Sequence, residues 1–113
     1  MNIFDYYFPG FKNEAMLNVR ENDKSYLLEL RAVGLTKDDI KITFEDNVLV
    51  IKSIKPKVET TYIRHEFWDD MIDKRIQFPA DADIDSTTAK VENGILYVEI
   101  QKAAGSKKEI QVQ

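Results

Sequence analysis

Apolar and polar residues alternate one for one through the middle of this chain. Alternation at period two marks strands with one buried face, because successive side chains point to opposite sides of a strand. In DIKITFE, Ile40, Ile42 and Phe44 share one side, while Lys41, Thr43 and Glu45 share the other. SYLLELRA places Tyr26, Leu28, Leu30 and Ala32 on one face in the same way. NVLVIKS is a continuous apolar run, the pattern of a strand covered on both sides, and Asp46-Asn47 before it is hairpin chemistry. IDKRIQFP and GILYVEI complete the strong strand signals, with MLNVRE and TAKVEN weaker. Strands this short and this numerous predict an all-β, immunoglobulin-like β-sandwich. Helical periodicity is nearly absent. Residues 36–39 read as a capped start, but alternation resumes at Ile40, so a single turn is expected there.

One connection is too long for a minimal sandwich. Residues 54–71 separate two strong strands, whereas most loops in compact domains run to about 4–6 residues. Inside this connection lies TTYIRHEF, which alternates like a strand. A projecting segment of that kind has unpaired backbone groups, and pairing with a second subunit would satisfy them.

Both ends of the chain carry apolar residues outside the strand region. The C-terminal KKEIQVQ returns to Ile110 and Val112, which in an extended tail project to one side about 6.6 Å apart. Residues 103–109 form a tether that spans roughly 23–25 Å when extended, enough to reach another chain. Such a pair implies a docking site, either on a neighbour or on the same domain. At the other end, Phe4, Tyr6, Tyr7, Phe8 and Phe11 give residues 1–15 a heavy aromatic load. These rings either cover a sheet of their own or a neighbouring subunit or offer adaptable apolar surface to non-native chains.

Composition narrows the function classes. The 113 residues suit one domain with tails. A formal net charge of -4, with 16 basic residues dispersed among 20 acidic ones, argues against nucleic acid as a partner. Cysteine is absent, so disulfides and thiolate metal sites are excluded and a cytoplasmic setting is expected. MNIFDYYFPGFKNEA lacks the basic and apolar regions of a secretory signal, and no run reaches membrane-spanning length, so no membrane association is expected.

Candidate chemistry is sparse. His65 is the sole histidine, set between Arg64 and Glu66, and no nucleophile or second acid-base group can be named for it. Asp69-Asp70 and the run of Asp81, Asp83 and Asp85 suggest calcium, but the latter run lacks the glycine and terminal glutamate of a calcium loop, so solvated turn carboxylates are expected. No phosphate-binding glycine loop is present, and no cofactor is expected. Lys74 shares a strand face with Ile76 and Phe78, which places its charge against partly covered surface.

In this order the elements resemble the small heat shock proteins, whose shared module is the α-crystallin domain. AKVENGIL, with Ala89 five residues before Gly94-Ile95-Leu96, is the most specific stretch, and RAVGLTKDDIKITFEDNVLVI is similar to the family's glycine, acidic pair and alternating strand. The spacing of Tyr62, Arg64 and Glu66 before Phe78-Pro79 also matches. Departures are Lys74 for a frequent arginine, Ala32-Val33 for Leu-Pro, and Asp70 for a loop glycine, tolerable if Asp70 takes positive φ.

The resemblance implies an arm over residues 1–15, an α-crystallin domain over 16–102 and an extension over 103–113. It further implies a non-enzymatic, ATP-independent chaperone that binds partly unfolded proteins. A homodimer would form by exchange of the strand carrying Tyr62, Arg64 and Glu66, with Lys74 at the interface. Tails would join dimers into a higher homo-oligomer, with Ile110 and Val112 docking between the strands of Ile40, Ile42 and Phe44 and of Ala89 and Val91. A monomeric co-chaperone module with the same sandwich is the alternative, and it would lack both the exchanged strand and the tail motif.

Overall fold

The structure, a computed structural model, describes residues 15–55, 60–103 and 112. Seven strands are present among these residues: β1 (Leu17–Glu21), β2 (Ser25–Arg31), β3 (Ile40–Glu45), β4 (Val48–Ser53), β5 (Asp73–Gln77), β6 (Thr88–Glu92) and β7 (Ile95–Gln101). They form two antiparallel sheets, one ordered β1-β2-β7-β6 and the other β3-β4-β5. Each strand expected from alternation is found except the loop segment TTYIRHEF.

The register explains why the two sheets pack. Leu28 and Leu30 on β2 stand opposite Val98 and Leu96 on β7, and Ile42 and Phe44 on β3 oppose Ile51 and Leu49 on β4. These inward positions form one core, with Leu28, Leu30, Leu49, Ile51, Leu96, Val98 and Ile100 fully buried. Each such side chain contributes about 1.5–3 kcal/mol by leaving water. The continuous run on β4 has its expected explanation: Leu49, Val50 and Ile51 are all buried. Val50 faces outward between Thr43 and Arg75, and the Arg75 guanidinium crosses to Glu45 at 2.9 Å.

The turns follow from backbone chemistry. Asp46 takes φ 52° in the β3–β4 hairpin, a left-handed conformation that Asp adopts more readily than most residues. Asn93 and Gly94 have φ 52° and 75°, and positive φ at both central residues makes the β6–β7 link a type I′ hairpin, which matches strand twist. The single capped turn is a 3₁₀ turn, Lys37–Asp39, in which Thr36 N–H donates to Asp39 Oδ2 at 2.8 Å.

Ala15 N–H donates to Met71 O at 2.8 Å, and Asp70 N–H to Val33 O at 2.8 Å. These bonds fasten the β1 side of one sheet to the β5 side of the other. The opposite edge strands, β3 and β6, therefore lie on the far side of the sandwich. TTYIRHEF behaves differently from the other alternating segments, since residues 60–70 carry no strand in the single chain. Alternation alone cannot hold an extended segment whose backbone groups lack a paired neighbour.

Candidate functional site

Three features distinguish the surface: the projecting loop, the two far edges, and the anchor at the base of the loop. On the loop, residues 61–69 are all exposed, including Tyr62, Ile63, Phe67 and Trp68. Tyr62 stacks on His65 with ring centroids 4.0 Å apart, and His65 lies 4.4 Å from Trp68. Arg64 and Glu66 approach to 3.9 Å in full solvent, a pair worth little energetically. His65 thus belongs to an aromatic cluster. Among the described residues no group of three or more His, Asp or Glu is arranged to hold a metal.

Next to the base of the loop runs β1, which among the described residues pairs only with β2, with Met16 just before it and Val19 within it both exposed. Lys74 stands opposite fully buried Ile51 on β5, half-buried and on the same face as Ile76, as its place in the sequence implied.

On the far side, Ile40, Ile42 and Phe44 on β3 and Val91 on β6 are partly buried and pack against the core from the two edge strands. Ala89 is exposed beside Val91 on β6. Partly covered apolar side chains thus lie on both of these edge strands. Val112 is 97% exposed, so it covers none of this surface within its own chain. Ile110 and the arm residues Phe4, Tyr6, Tyr7, Phe8 and Phe11 lie outside the described residues.

The anchor at the loop base was not legible in the sequence, and it corrects two readings. Asp70 is not a solvated turn carboxylate but is only 3% exposed. Arg31 Nε donates to both of its oxygens at 3.1 Å, Arg31 Nη2 donates to Oδ1 at 3.0 Å, and Val33 N–H donates to Oδ2 at 2.7 Å. Nor does Asp70 use positive φ, which among the described non-glycine residues occurs only at Asp46 and Asn93. The physical reason is the same for both corrections: a buried carboxylate must be fully hydrogen-bonded, and an arginine fork with a backbone amide provides that. The carboxylate also raises the Arg31 pKa, first by hydrogen bonding and then by its charge, against an opposing effect of desolvation.

Beside this anchor, Lys55 Nζ donates to Gly34 O at 2.6 Å and pairs with Asp69 Oδ2 at 2.7 Å, and its pKa is raised chiefly by the Asp69 hydrogen bond. Gly34 has φ 83°, and a Cβ there would run into the Asp69 side chain. Glycine is required on both counts.

A third correction concerns Asp81. It is half-buried and accepts a 2.7 Å hydrogen bond from the Tyr26 hydroxyl. That bond, followed by burial and then by the charges of Asp81 and Glu21, pushes the Tyr26 pKa up to about 12. Asp83 and Asp85 are exposed, as expected of turn carboxylates.

Comparison with known proteins assigns this arrangement to a family. The description "Hsp20/alpha crystallin family" matches residues 18–113. Small heat shock protein C2 of Rickettsia felis is 30% identical over 129 aligned positions, covering 99% of this chain and 83% of that protein. A mitochondrial 26.5 kDa heat shock protein of Arabidopsis thaliana is 31% identical over 104 residues, covering 87% of this chain but 45% of its own length. Among solved structures, a small heat-shock protein from Xylella fastidiosa superimposes with a TM-score of 0.71 at 26% identity, covering 88% of this chain and 95% of that one. Heat shock protein 16.0 of Schizosaccharomyces pombe shares the fold at 21% identity, with a TM-score of 0.69 over 88% of this chain and 96% of that one. Two antiparallel sheets in this order, a long loop before β5 and the Asn93-Gly94 hairpin thus have a common explanation: the chain belongs to the Hsp20/alpha crystallin family of small heat shock proteins.

Proposed function

We propose that this protein is an ATP-independent holdase chaperone, which binds partly unfolded proteins and prevents their aggregation. The observation that carries the reading is the set of apolar side chains left in water by the single chain: Tyr62, Ile63, Phe67 and Trp68 on the loop, and Met16 and Val19 at the β1 edge. Apolar residues in such number around an unpaired edge favour association, first with another copy of the chain. In a two-fold dimer the loop strand of each protomer, residues 61–67, lies along β1 of its partner, so one contact is made twice. Tyr62, Arg64, Glu66 and Lys74 belong to that interface. Ile110 and Val112 of the extension, residues 103–113, dock on Ile40, Ile42, Phe44, Ala89 and Val91 of a neighbouring dimer. The Xylella fastidiosa relative, whose structure reveals a distinct high order structure, supports assembly beyond the dimer.

Clients compete for the same apolar surface when subunits loosen or exchange, together with the arm residues Phe4, Tyr6, Tyr7, Phe8 and Phe11. The work is done by the α-crystallin domain over residues 16–102 in the cytoplasm, without nucleotide, cofactor or covalent step. Light scattering of a heat-labile client tests this directly. Substoichiometric or equimolar protein should suppress client aggregation equally with and without ATP, and suppression that required ATP would refute the mechanism.

A further inference from the structure

We propose that the Asp70 carboxylate, gripped by Arg31 and the Val33 amide, aims the projecting loop at a second copy of this chain, making Asp70 and Arg31 positioning residues for self-recognition. The inference rests on the strand-exchange reading above. The neck closes where Ser53 N–H donates to Ile72 O at 2.9 Å and Ile72 N–H to Ser53 Oγ at 2.9 Å. Beyond the neck, residues 60–69 have no strand pairing, so the direction of the loop is set at its stem.

Two layers hold the stem against the turn that contains Val33 and Gly34. The outer layer, Lys55 with Asp69 and Gly34 O, is solvent-accessible and therefore weak. The inner layer differs in that its carboxylate, Asp70, is buried. Asp70 exchanges a backbone and a side-chain bond with Val33 and receives the Arg31 fork, so its position and orientation are both determined. A bidentate charged pair constrains angle as well as distance.

The angle matters because the loop is a lever. Tyr62 is eight residues from Asp70, about 26 Å if the segment is extended at roughly 3.3 Å per residue. A rotation of about 10° at the stem would carry Tyr62 some 4.5 Å, close to one strand-to-strand spacing of about 4.8 Å. Registration on a partner's β1 would then fail although every residue of the loop strand was still present.

Sedimentation velocity over a dilution series tests the proposal with Asp70→Asn, Arg31→Lys, the double variant, and a chain lacking residues 61–67. Each single substitution should weaken the dimer roughly tenfold, as expected from partial loss of charge-assisted bonds. The double variant should be little weaker than either single, since both remove the same pair. Dissociation constants within threefold of the parent, or additive losses, would overturn the positioning role. The same substitutions placed in the loop-deleted chain report local stability alone, by thermal unfolding. If they lower its midpoint as much as they lower that of the full-length chain, the pair is structural and the proposal falls. A loop-deleted chain that stayed dimeric at micromolar concentration would instead refute strand exchange itself, and the proposal with it.

Discussion

Replacing Tyr62 by alanine isolates the contribution of one loop side chain to self-association. Tyr62 is 58% exposed in the single chain, so its removal leaves the sandwich core untouched. An aromatic side chain has about 150–250 Å² to bury, and the exposed share here is roughly 90–145 Å². At about 25 cal/mol per Å² that amounts to about 2–4 kcal/mol per copy, and a two-fold dimer counts it twice. Ordering of the loop and incomplete coverage at the interface remove about half of this ceiling or more, leaving roughly 2–3 kcal/mol for the pair of tyrosines. The dimer dissociation constant should rise by a factor of roughly 30 to 150. Sedimentation velocity from nanomolar to tens of micromolar measures it, and far-UV circular dichroism of the diluted variant checks that β structure is retained. A constant within threefold of the parent would refute the reading of the loop as the dimer strand. Loss of β signal would show that Tyr62 stabilises the fold, contrary to its exposure.

Other predictions concern the tail and the core. Changing Ile110 and Val112 together to alanine removes at most about 1.5–3 kcal/mol per side chain, but several tails act together in a closed assembly. Light scattering should therefore find dimers where the parent forms larger species, with circular dichroism unchanged; equal masses above the dimer would exclude tail docking. Tyr26 gives a pH dependence. Its pKa is raised from 10.0 to about 12, so its neutral hydroxyl contributes stability that is fully present below about pH 10 and lost as pH rises through 12. Denaturant titrations across that window should show a flatter alkaline decline for Tyr26→Phe than for the parent, and identical slopes would refute the role of the Asp81 hydrogen bond.

Much of the fold could be read from the chain because strand alternation is a local property. Ile40, Ile42 and Phe44 reveal their shared face within seven residues, and Leu49, Val50 and Ile51 announce a buried strand by having no polar face to show. Turn chemistry is equally local, as Asp46-Asn47 illustrates. Periodicity says nothing, however, about which strands become edges. That β1 and β6 end one sheet and β3 and β5 the other was decided by how the sheets stack, and those edges are where association is proposed. The residues 61–67 mark the boundary between the two kinds of information: their alternation is visible in the sequence, but a strand also needs a neighbour to pair with, and none is found among the described residues. Asp70 lies entirely on the tertiary side. Next to Asp69 in a polar loop it looks like any solvated carboxylate, and only the arrival of Arg31, 39 positions away, makes its burial affordable. Asp81 owes its bond to Tyr26, 55 positions away, in the same manner. Local patterns determine which segments extend and which faces they bury; the partners of buried charges are set by long-range packing.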